Sequence, residues 1–200
     1  GDTSVWYKRS FTTGCGIFTT PFSESFDTLQ PPSCWSNYPL TSVYNFVFNS
    51  LNDHTGNGGY AAFRSRTNTM ALETPFIDIS GLSQPTLNFW LTLTSPFLAS
   101  PAKSNTHMKI EVSYDATNWV PLDSFAVLDF NWQEKNINLT GLAMGDTLAF
   151  RFIGKQFSPT GASDVDLFLD DIAVMELPAC PIPNDSIFFT NITASSANLN

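Results

Sequence analysis

The chain has 200 residues, of which 42% are hydrophobic and 14% are charged, as is typical of a packed globular protein and not of a disordered one. A formal net charge of −9 and the lack of a basic patch argue against nucleic acid and anionic membrane surfaces as partners. No run of about 18 apolar residues occurs, which argues against direct membrane insertion.

Short apolar runs separated by turn signals fill residues 15–178, and no helical period persists for more than two turns. The 18 phenylalanines and the threonine-rich runs also favour strands. The predicted strands include residues 20–27, 60–65, 71–78, 86–93, 108–114, 132–139, 147–153 and 166–174. We therefore predict an all-β fold, an antiparallel jelly-roll β-sandwich of about ten strands.

Strict alternation of apolar and polar residues marks the predicted strand 108–114. Because successive side chains of a strand point to opposite faces, Lys109, Glu111 and Ser113 are expected to face water. The last predicted strand, 166–174, is different, since Asp170 and Asp171 lie at the centre of an apolar run. Two carboxylates there need a cation or a dense set of hydrogen-bond donors.

Both ends of the chain resemble parts of fibronectin type III domains. Residues 1–14 hold a Gly-Asp-x-Ser-x-Trp turn and a strand ending in Phe-Thr-Thr, similar to the last strand of such a domain. Residues 179–200 hold a proline-rich entry, a first strand and the start of a second strand, similar to its opening. The resemblance implies a central domain at 15–178 between pieces of neighbouring modules, as in a chain cut from a longer protein. The alternative is that both ends are edge strands of one domain.

Five motifs follow one another along the central region. They are Ser25-Phe26-Asp27 with Ser33-Cys34-Trp35, then Asp53-His54-Thr55-Gly56-Asn57-Gly58-Gly59-Tyr60, Leu87-Asn88-Phe89-Trp90, Asn131-Trp132-Gln133 and Leu169-Asp170-Asp171-Ile172. In this order they resemble the MAM domain and the related cleaved-adhesin (choice-of-anchor J type) jelly rolls of secreted Bacteroidetes proteins. The resemblance implies a jelly-roll fold and an extracellular adhesion or ligand-binding role.

Three cysteines without a CxxC pair, and two histidines without metal-ligand spacing, argue against a zinc site. MAM domains carry a cysteine where this chain has Glu24, and that cysteine pairs with the one preceding the tryptophan. The resemblance therefore favours a Cys15–Cys34 disulfide, with Cys180 pairing outside the chain. Pairing of Cys15 with a preceding module is the rival, and three free thiols are a further alternative. A disulfide fits a secreted or cell-surface protein.

A calcium site is predicted where the first and last strands of a jelly roll lie side by side. The acids that can converge there are Glu24, Asp27, Asp53, Asp170 and Asp171. Carboxylates and the carbonyls of a glycine-rich turn are the hard oxygen ligands that Ca²⁺ prefers, and the MAM resemblance implies a structural cation here. Strand alternation directs Asp170 and Asp171 to opposite faces, so we expect one of them to bind directly. The alternative is that these acids cap turns and face solvent.

No catalytic constellation is apparent, because the chain has no G-x-S-x-G motif and no carboxylate pair beside aromatic residues on a strand. We expect no enzymatic activity. His54 is expected to be a hydrogen-bonded turn residue.

The functional prediction is an adhesion or ligand-binding module of a multidomain protein, with an extracellular protein or glycan as partner. The alternatives are a carbohydrate-binding module appended to a hydrolase, and a structural spacer. Trp119, Phe130 and Trp132 are the candidate sugar platform, although core or turn packing is the favoured explanation and Trp132 matches a family position that packs.

Overall fold

A computed structural model describes most of the central region and two short strands beyond it. The described residues are 14–28, 32–39, 47–49, 53–56, 58–63, 70–94, 106–127, 130–142, 145–155, 166–177, 189–193 and 196–199. All regular structure in these ranges is β-strand. These ranges contain no helix that is long and apolar enough to cross a membrane. The type III resemblance of residues 1–14 lies outside the described residues except for Gly14.

Fifteen strands are described. In chain order they are β1 (Phe18–Thr19), β2 (Phe22–Glu24), β3 (Ser36–Pro39), β4 (Val47–Asn49), β5 (Tyr60–Phe63), β6 (Met70–Glu73), β7 (Ile77–Asp78), β8 (Pro85–Thr94), β9 (His107–Ser113), β10 (Val120–Ala126), β11 (Gln133–Asn138), β12 (Thr147–Lys155), β13 (Asp166–Glu176), β14 (Phe189–Thr193) and β15 (Ser196–Leu199). The last two pair only with each other in the described part, as an antiparallel hairpin.

The first sheet is built around β12. One side of β12 pairs with β9, which in turn pairs with β10, and the other side pairs with β6 and β7 in succession. β3 extends this sheet beyond β6, and β1 extends it beyond β7. The β1–β7 pair is parallel, whereas the prediction was of antiparallel strands throughout.

The second sheet is built around β13. One side of β13 pairs with β8, which continues to β11. The other side pairs with β5 through residues 167–169 and with β2 through residues 172–174, and β4 lies beyond β5. β2, near the start of the central region, and β13, at its end, are therefore neighbours, as the jelly-roll prediction requires.

The core lies between the two sheets. Alternate residues of β8 (Leu87, Phe89, Leu91 and Leu93) are all buried, as period-two alternation predicts. The ring of Phe89 meets that of Phe152 edge to face with centroids 5.2 Å apart, which joins β8 of the second sheet to β12 of the first. The predicted all-β sandwich is confirmed.

A break in the pairing divides the predicted strand 71–78 into β6 and β7. Pro75 has no N–H to donate, and the hydroxyl of Thr74 replaces part of the missing ladder by accepting the N–H of Phe150 at 2.9 Å. In return, the N–H of Thr74 donates to the carbonyl of Phe150 at 2.9 Å. The break contains one extra residue, because Leu72 pairs with Phe152 and Ile77 with Leu148. The core-facing positions therefore change from Met70 and Leu72 to Ile77 and Ile79.

The expectation that the polar residues of β9 face water is wrong for two of the three. Glu111 is 7% exposed and Ser113 is 0% exposed, and only Lys109 is partly exposed. The reason for Glu111 is that the segment 120–126, which was not predicted as a strand, forms β10 and pairs with β9 from His107 to Val112. A strand with neighbours on both sides loses solvent at its polar positions as well.

The predicted Cys15–Cys34 disulfide is confirmed, with the two Cα atoms 5.5 Å apart. It joins the segment before β1 to the turn before β3, and so links the starts of two strands in the first sheet. Cys180 lies outside the described residues.

Gly154 of β12 provides a test of the sheet packing. A Cβ added there would lie 2.5 Å from Cδ1 of Phe63 in the opposite sheet. We expect Gly154→Ala to lower the free energy of unfolding by about 1–3 kcal/mol, because the ring has to move within a filled core. Urea unfolding measures this value. Gly81→Ala is the control, since its Cβ would meet nothing within 4 Å, and we expect a change within about 0.5 kcal/mol. Equal losses in both variants would contradict the packing.

Candidate functional site

The closing strand β13 contains a β-bulge at the two adjacent acids. Asp170 pairs with Trp90 and Ala173 pairs with Asn88, so that two residues of β13 oppose one residue of β8. Asp171 occupies the left-handed region with φ of 45°, which few residues other than glycine adopt. The bulge overturns the expectation of opposite faces, because both carboxyls now reach the same residue, His54.

Asp170 is fully buried and has hydrogen-bond donors on both carboxyl oxygens. Oδ2 accepts the backbone N–H of His54 at 3.1 Å, and Oδ1 accepts that of Asp171 at 2.7 Å. Burial, and next a hydrogen bond with the Asp53 carboxyl, raise the pKa of Asp170 to about 9 against the lowering effect of the His54 N–H. Without a cation, this carboxyl holds a proton at neutral pH.

The glycine-rich turn is organised by Asp53. Its Oδ2 accepts the N–H of Gly58 at 2.9 Å and the hydroxyl of Thr55 at 3.0 Å. Gly58 also lies directly against Asp27, where an added Cβ would come 1.6 Å from Oδ1. Only glycine fits at this position, and Asp27, Asp53 and Asp170 are consequently gathered around one turn.

His54 joins this turn to the outer side of the second sheet. Its Nδ1 lies 2.6 Å from Oδ2 of Asp171, and its ring stacks on Trp90 with centroids 3.7 Å apart. Trp132 meets the His54 ring at 5.8 Å and packs with Tyr60 and Phe168. The prediction of a hydrogen-bonded turn histidine agrees with these contacts, and Trp132 contributes to packing.

Glu24, the remaining predicted calcium ligand, has different surroundings. Its Oε1 accepts the N–H of Phe26 at 2.8 Å, and burial raises the pKa of its carboxyl. In the described part of the chain, no group of three or more histidine, cysteine, aspartate or glutamate side chains is arranged to hold a metal ion. The acids Asp53 and Asp170 are the pair whose carboxyls meet, and the calcium site stays a prediction.

A second cluster of charged residues lies on the first sheet around Arg151. Its Nη2 and Nε donate to Oε2 of Glu111 at 2.7 and 3.0 Å, and its Nη1 lies 3.4 Å from Oε1 of Glu73. Lys109 donates to Oε1 of Glu111 at 2.6 Å. Although burial alone raises it, the hydrogen bonds from Lys109 and Arg151 hold the pKa of Glu111 below its ordinary value. Burial raises the pKa of Glu73.

Trp119 completes this cluster, which we call the Trp119 surface and define as Trp119, Arg151, Glu111, Glu73 and Lys109. The guanidinium carbon of Arg151 lies 4.2 Å from the centroid of the partly exposed Trp119 ring, a cation–π contact.

Sequence reasoning proposed only Trp119 of these residues. The sequence feature that could have indicated the other residues is Arg151, a charged residue inside the apolar run 147–153. Asp170 is a charged residue inside an apolar strand in the same way.

The three predicted platform aromatics do not lie together. Phe130 packs against the main core, and Trp132 packs against the cluster of Tyr60, Ala62 and Phe168. Trp119 alone stacks on a charged side chain at the surface of the first sheet.

Comparison with known proteins reveals a shared fold. No family model and no curated protein matches the chain. Among solved structures, the carbohydrate-binding module TmCBM61 in complex with β-1,4-galactotriose has a TM-score of 0.53 at 13% identity, over 76% of this chain and 93% of that one. A structure described for the promiscuous specificity of carbohydrate-binding modules of the β-sandwich superfamily has a TM-score of 0.53 at 12% identity, over 80% and 63%.

A third similar structure is the enzymatically active domain of tailspike protein 4 of bacteriophage CBA120. Its TM-score is 0.51 at 12% identity, and the match covers 76% of this chain but only 20% of that one. At such identities the three likenesses show the β-sandwich fold.

The buried Asp170 predicts how stability depends on pH in the absence of calcium. The pKa of this carboxyl is about 9 in the folded chain and 3.8 ordinarily. At a pH between these two values, the folded state holds a proton that the unfolded state has released. The free energy of unfolding in EDTA should therefore fall as the pH rises from about 5 to about 8.

Asp170→Asn removes the titrating group and should flatten this dependence, as urea unfolding at several pH values can establish. The exposed Asp146→Asn is the matched control and should keep the slope of the wild type. A wild-type stability that rises over this range, or the same slope in Asp170→Asn, would contradict the assignment.

Proposed function

We propose that residues 15–178 form a non-catalytic carbohydrate-binding module of a secreted or cell-surface protein. The shared fold supports it, because one solved structure with this fold is a module in complex with β-1,4-galactotriose. The Cys15–Cys34 disulfide supports an extracellular setting. These observations favour the carbohydrate-binding alternative over the first prediction, an adhesion or ligand-binding module with a protein or glycan partner.

The Trp119 surface is the observation that carries the proposal. A pyranose presents an apolar C–H face and a rim of hydroxyls, and an indole ring beside fixed planar donors and acceptors matches both. Arg151 stacks on Trp119 and is itself held by two hydrogen bonds to Glu111. Because these groups are already bonded to one another, little side-chain entropy is lost when a ligand binds.

The same geometry argues against glycoside hydrolysis at this surface. A hydrolase needs one carboxyl to deliver a proton and another to act as base or nucleophile. Here Glu111 and Glu73 are 7% and 9% exposed, and Arg151 contacts both. Carboxyls bonded to a shared cation beneath an aromatic ring are suited to holding Arg151 in place, and we assign them that role.

Truncation of Trp119 tests the site. If the wild-type chain binds a set of glycans on an array, Trp119→Ala should lower its affinity for them by at least about tenfold, because the stacking face is lost. Val120→Ala is the control, since it shortens the neighbouring side chain, which is 48% exposed, and keeps the indole.

Unchanged binding by Trp119→Ala would contradict the site. Failure of the wild type to bind any glycan or polysaccharide would contradict the function and favour the spacer alternative.

We retain the structural calcium ion as a separate proposal, with Asp53 and Asp170 as its carboxylate ligands. A divalent cation stabilises the ionised form of two buried carboxyls that otherwise share a proton. The role is structural, since the ion would join the turn at 53–58 to β13. Asp171 is bonded to His54, and Glu24 to the Phe26 N–H, so neither is included.

Removal of calcium tests this proposal. We expect EDTA to lower the melting temperature by roughly 5–10 °C, the effect of an ion present at about a hundred times its dissociation constant. Excess CaCl₂ should restore it, as differential scanning calorimetry can measure. Asp170→Asn should abolish the sensitivity, whereas Asp171→Asn should keep it. A wild-type melting curve that is identical in EDTA and in CaCl₂ would show that the two acids share a proton and bind no ion.

A further inference from the structure

A pocket of about 420 Å³ opens beside β1 and β2, away from the residues of the Trp119 surface. We call it the Trp35 pocket, and Phe18, Phe22 and Trp35 provide its aromatic walls, with Pro21 and Pro32 beside them. Its volume lies within the range of about 300–1,000 Å³ that is usual for small-molecule sites. None of its residues belongs to the Trp119 surface.

The aromatic walls hold one another in place. Trp35 stacks on Phe22 with centroids 6.3 Å apart, and Phe18 meets Phe22 edge to face at 5.8 Å. Trp35 also meets the buried Phe26 edge to face at 5.6 Å. The disulfide fixes Cys34, the residue before Trp35, to Cys15. The pocket therefore keeps its shape without a ligand, which lowers the entropic cost of binding.

The charge of the pocket is negative. Glu24 lines it and is only half-buried, and the described residues that line the pocket include no lysine or arginine. The Glu24 carboxyl accepts hydrogen bonds from the backbone N–H groups of Phe26 and Ser25, and the neighbouring charge is that of Asp27. The faces of aromatic rings also attract cations. A positively charged ligand is thus complementary to both the wall and the carboxyl.

The rim of the pocket is polar. Thr19, Ser23 and Ser33 line it and are exposed, so their hydroxyls and backbone groups are accessible to a ligand. An alkylammonium alone would leave this rim unused. A sugar ring with an ammonium group uses every part: the ring stacks on the aromatic wall, the hydroxyls meet the rim and the ammonium meets Glu24.

We infer that the Trp35 pocket binds an amino sugar, with Glu24 as the counter-ion of its ammonium group. This inference goes beyond the proposed function, because it assigns a second site and a cationic class of glycan. It does not depend on any ligand of the Trp119 surface.

A comparison of glucosamine with glucose tests the inference. Titration followed by the indole N–H resonance of Trp35 should show glucosamine binding at least about tenfold more tightly than glucose, through the charge-assisted hydrogen bond. Glu24→Gln should remove this preference, and Phe18→Ala should weaken both sugars. Glu134→Gln, an exposed carboxylate of β11, is the matched control and should bind as the wild type does.

The outcomes separate this site from the proposed function. Trp119→Ala should leave glucosamine binding unchanged. Loss of glycan binding at the Trp119 surface would then be independent of amino-sugar binding in the Trp35 pocket. Equal affinity for glucose and glucosamine, or an unchanged preference in Glu24→Gln, would overturn the inference. Equal affinity for n-butylamine would also overturn it, since the pocket would then recognise an alkylammonium group, such as that of a lysine side chain, without the sugar ring. If Glu24→Gln does not fold, wild-type binding that is insensitive to NaCl would overturn it instead.

Discussion

The structure depends on keeping one fully buried carboxyl, that of Asp170, satisfied at the centre of the second sheet. β13 pairs with β8, β5 and β2, so this carboxyl lies where three strands meet. An unsatisfied charge there would cost far more than the net stability of a domain allows. The N–H groups of His54 and Asp171 and the carboxyl of Asp53 provide the compensation. The Asp170 side chain thereby attaches the glycine-rich turn to the sheet, together with the contacts of His54 with Asp171 and Trp90.

The two sheets solve the problem of buried charge in different ways. The second sheet surrounds Asp170 with backbone donors and a second acid, which leaves it neutral or dependent on a cation. The first sheet places Arg151 between Glu73 and Glu111, which pairs both carboxyls with one cation and holds the pKa of Glu111 below its ordinary value. The first arrangement couples the stability of the fold to pH, and the second provides a fixed polar surface beside an aromatic ring. The difference explains why we assign structure to one cluster and recognition to the other.

The sequence predicted β8, β9 and β13 because each of these strands has several apolar residues in a row or in alternation. It could not predict β10, since Val120–Ala126 is mostly exposed and contains a proline and an aspartate. Without β10, the burial of Glu111 and the contact between Trp119 and Arg151 were out of reach. The bulge at Asp171 was also hidden, because alternation assumes one residue for each step of the ladder. The disulfide was predicted from family resemblance. The spacing of Cys15 and Cys34 along the chain does not show that they lie close together in the fold.

The outer edge of β10 bears on how readily another chain can pair with the first sheet. Among the described strands it pairs only with β9, so its outer edge exposes backbone groups that another chain could extend. Pro121 removes one donor from the strand, and the pairing shifts register between Pro121 and Asp123, where a carboxylate stands on the exposed surface. An irregular, charged edge is a poor template for an added strand. The edge of the first sheet at β10 is therefore protected against edge-to-edge pairing with another chain.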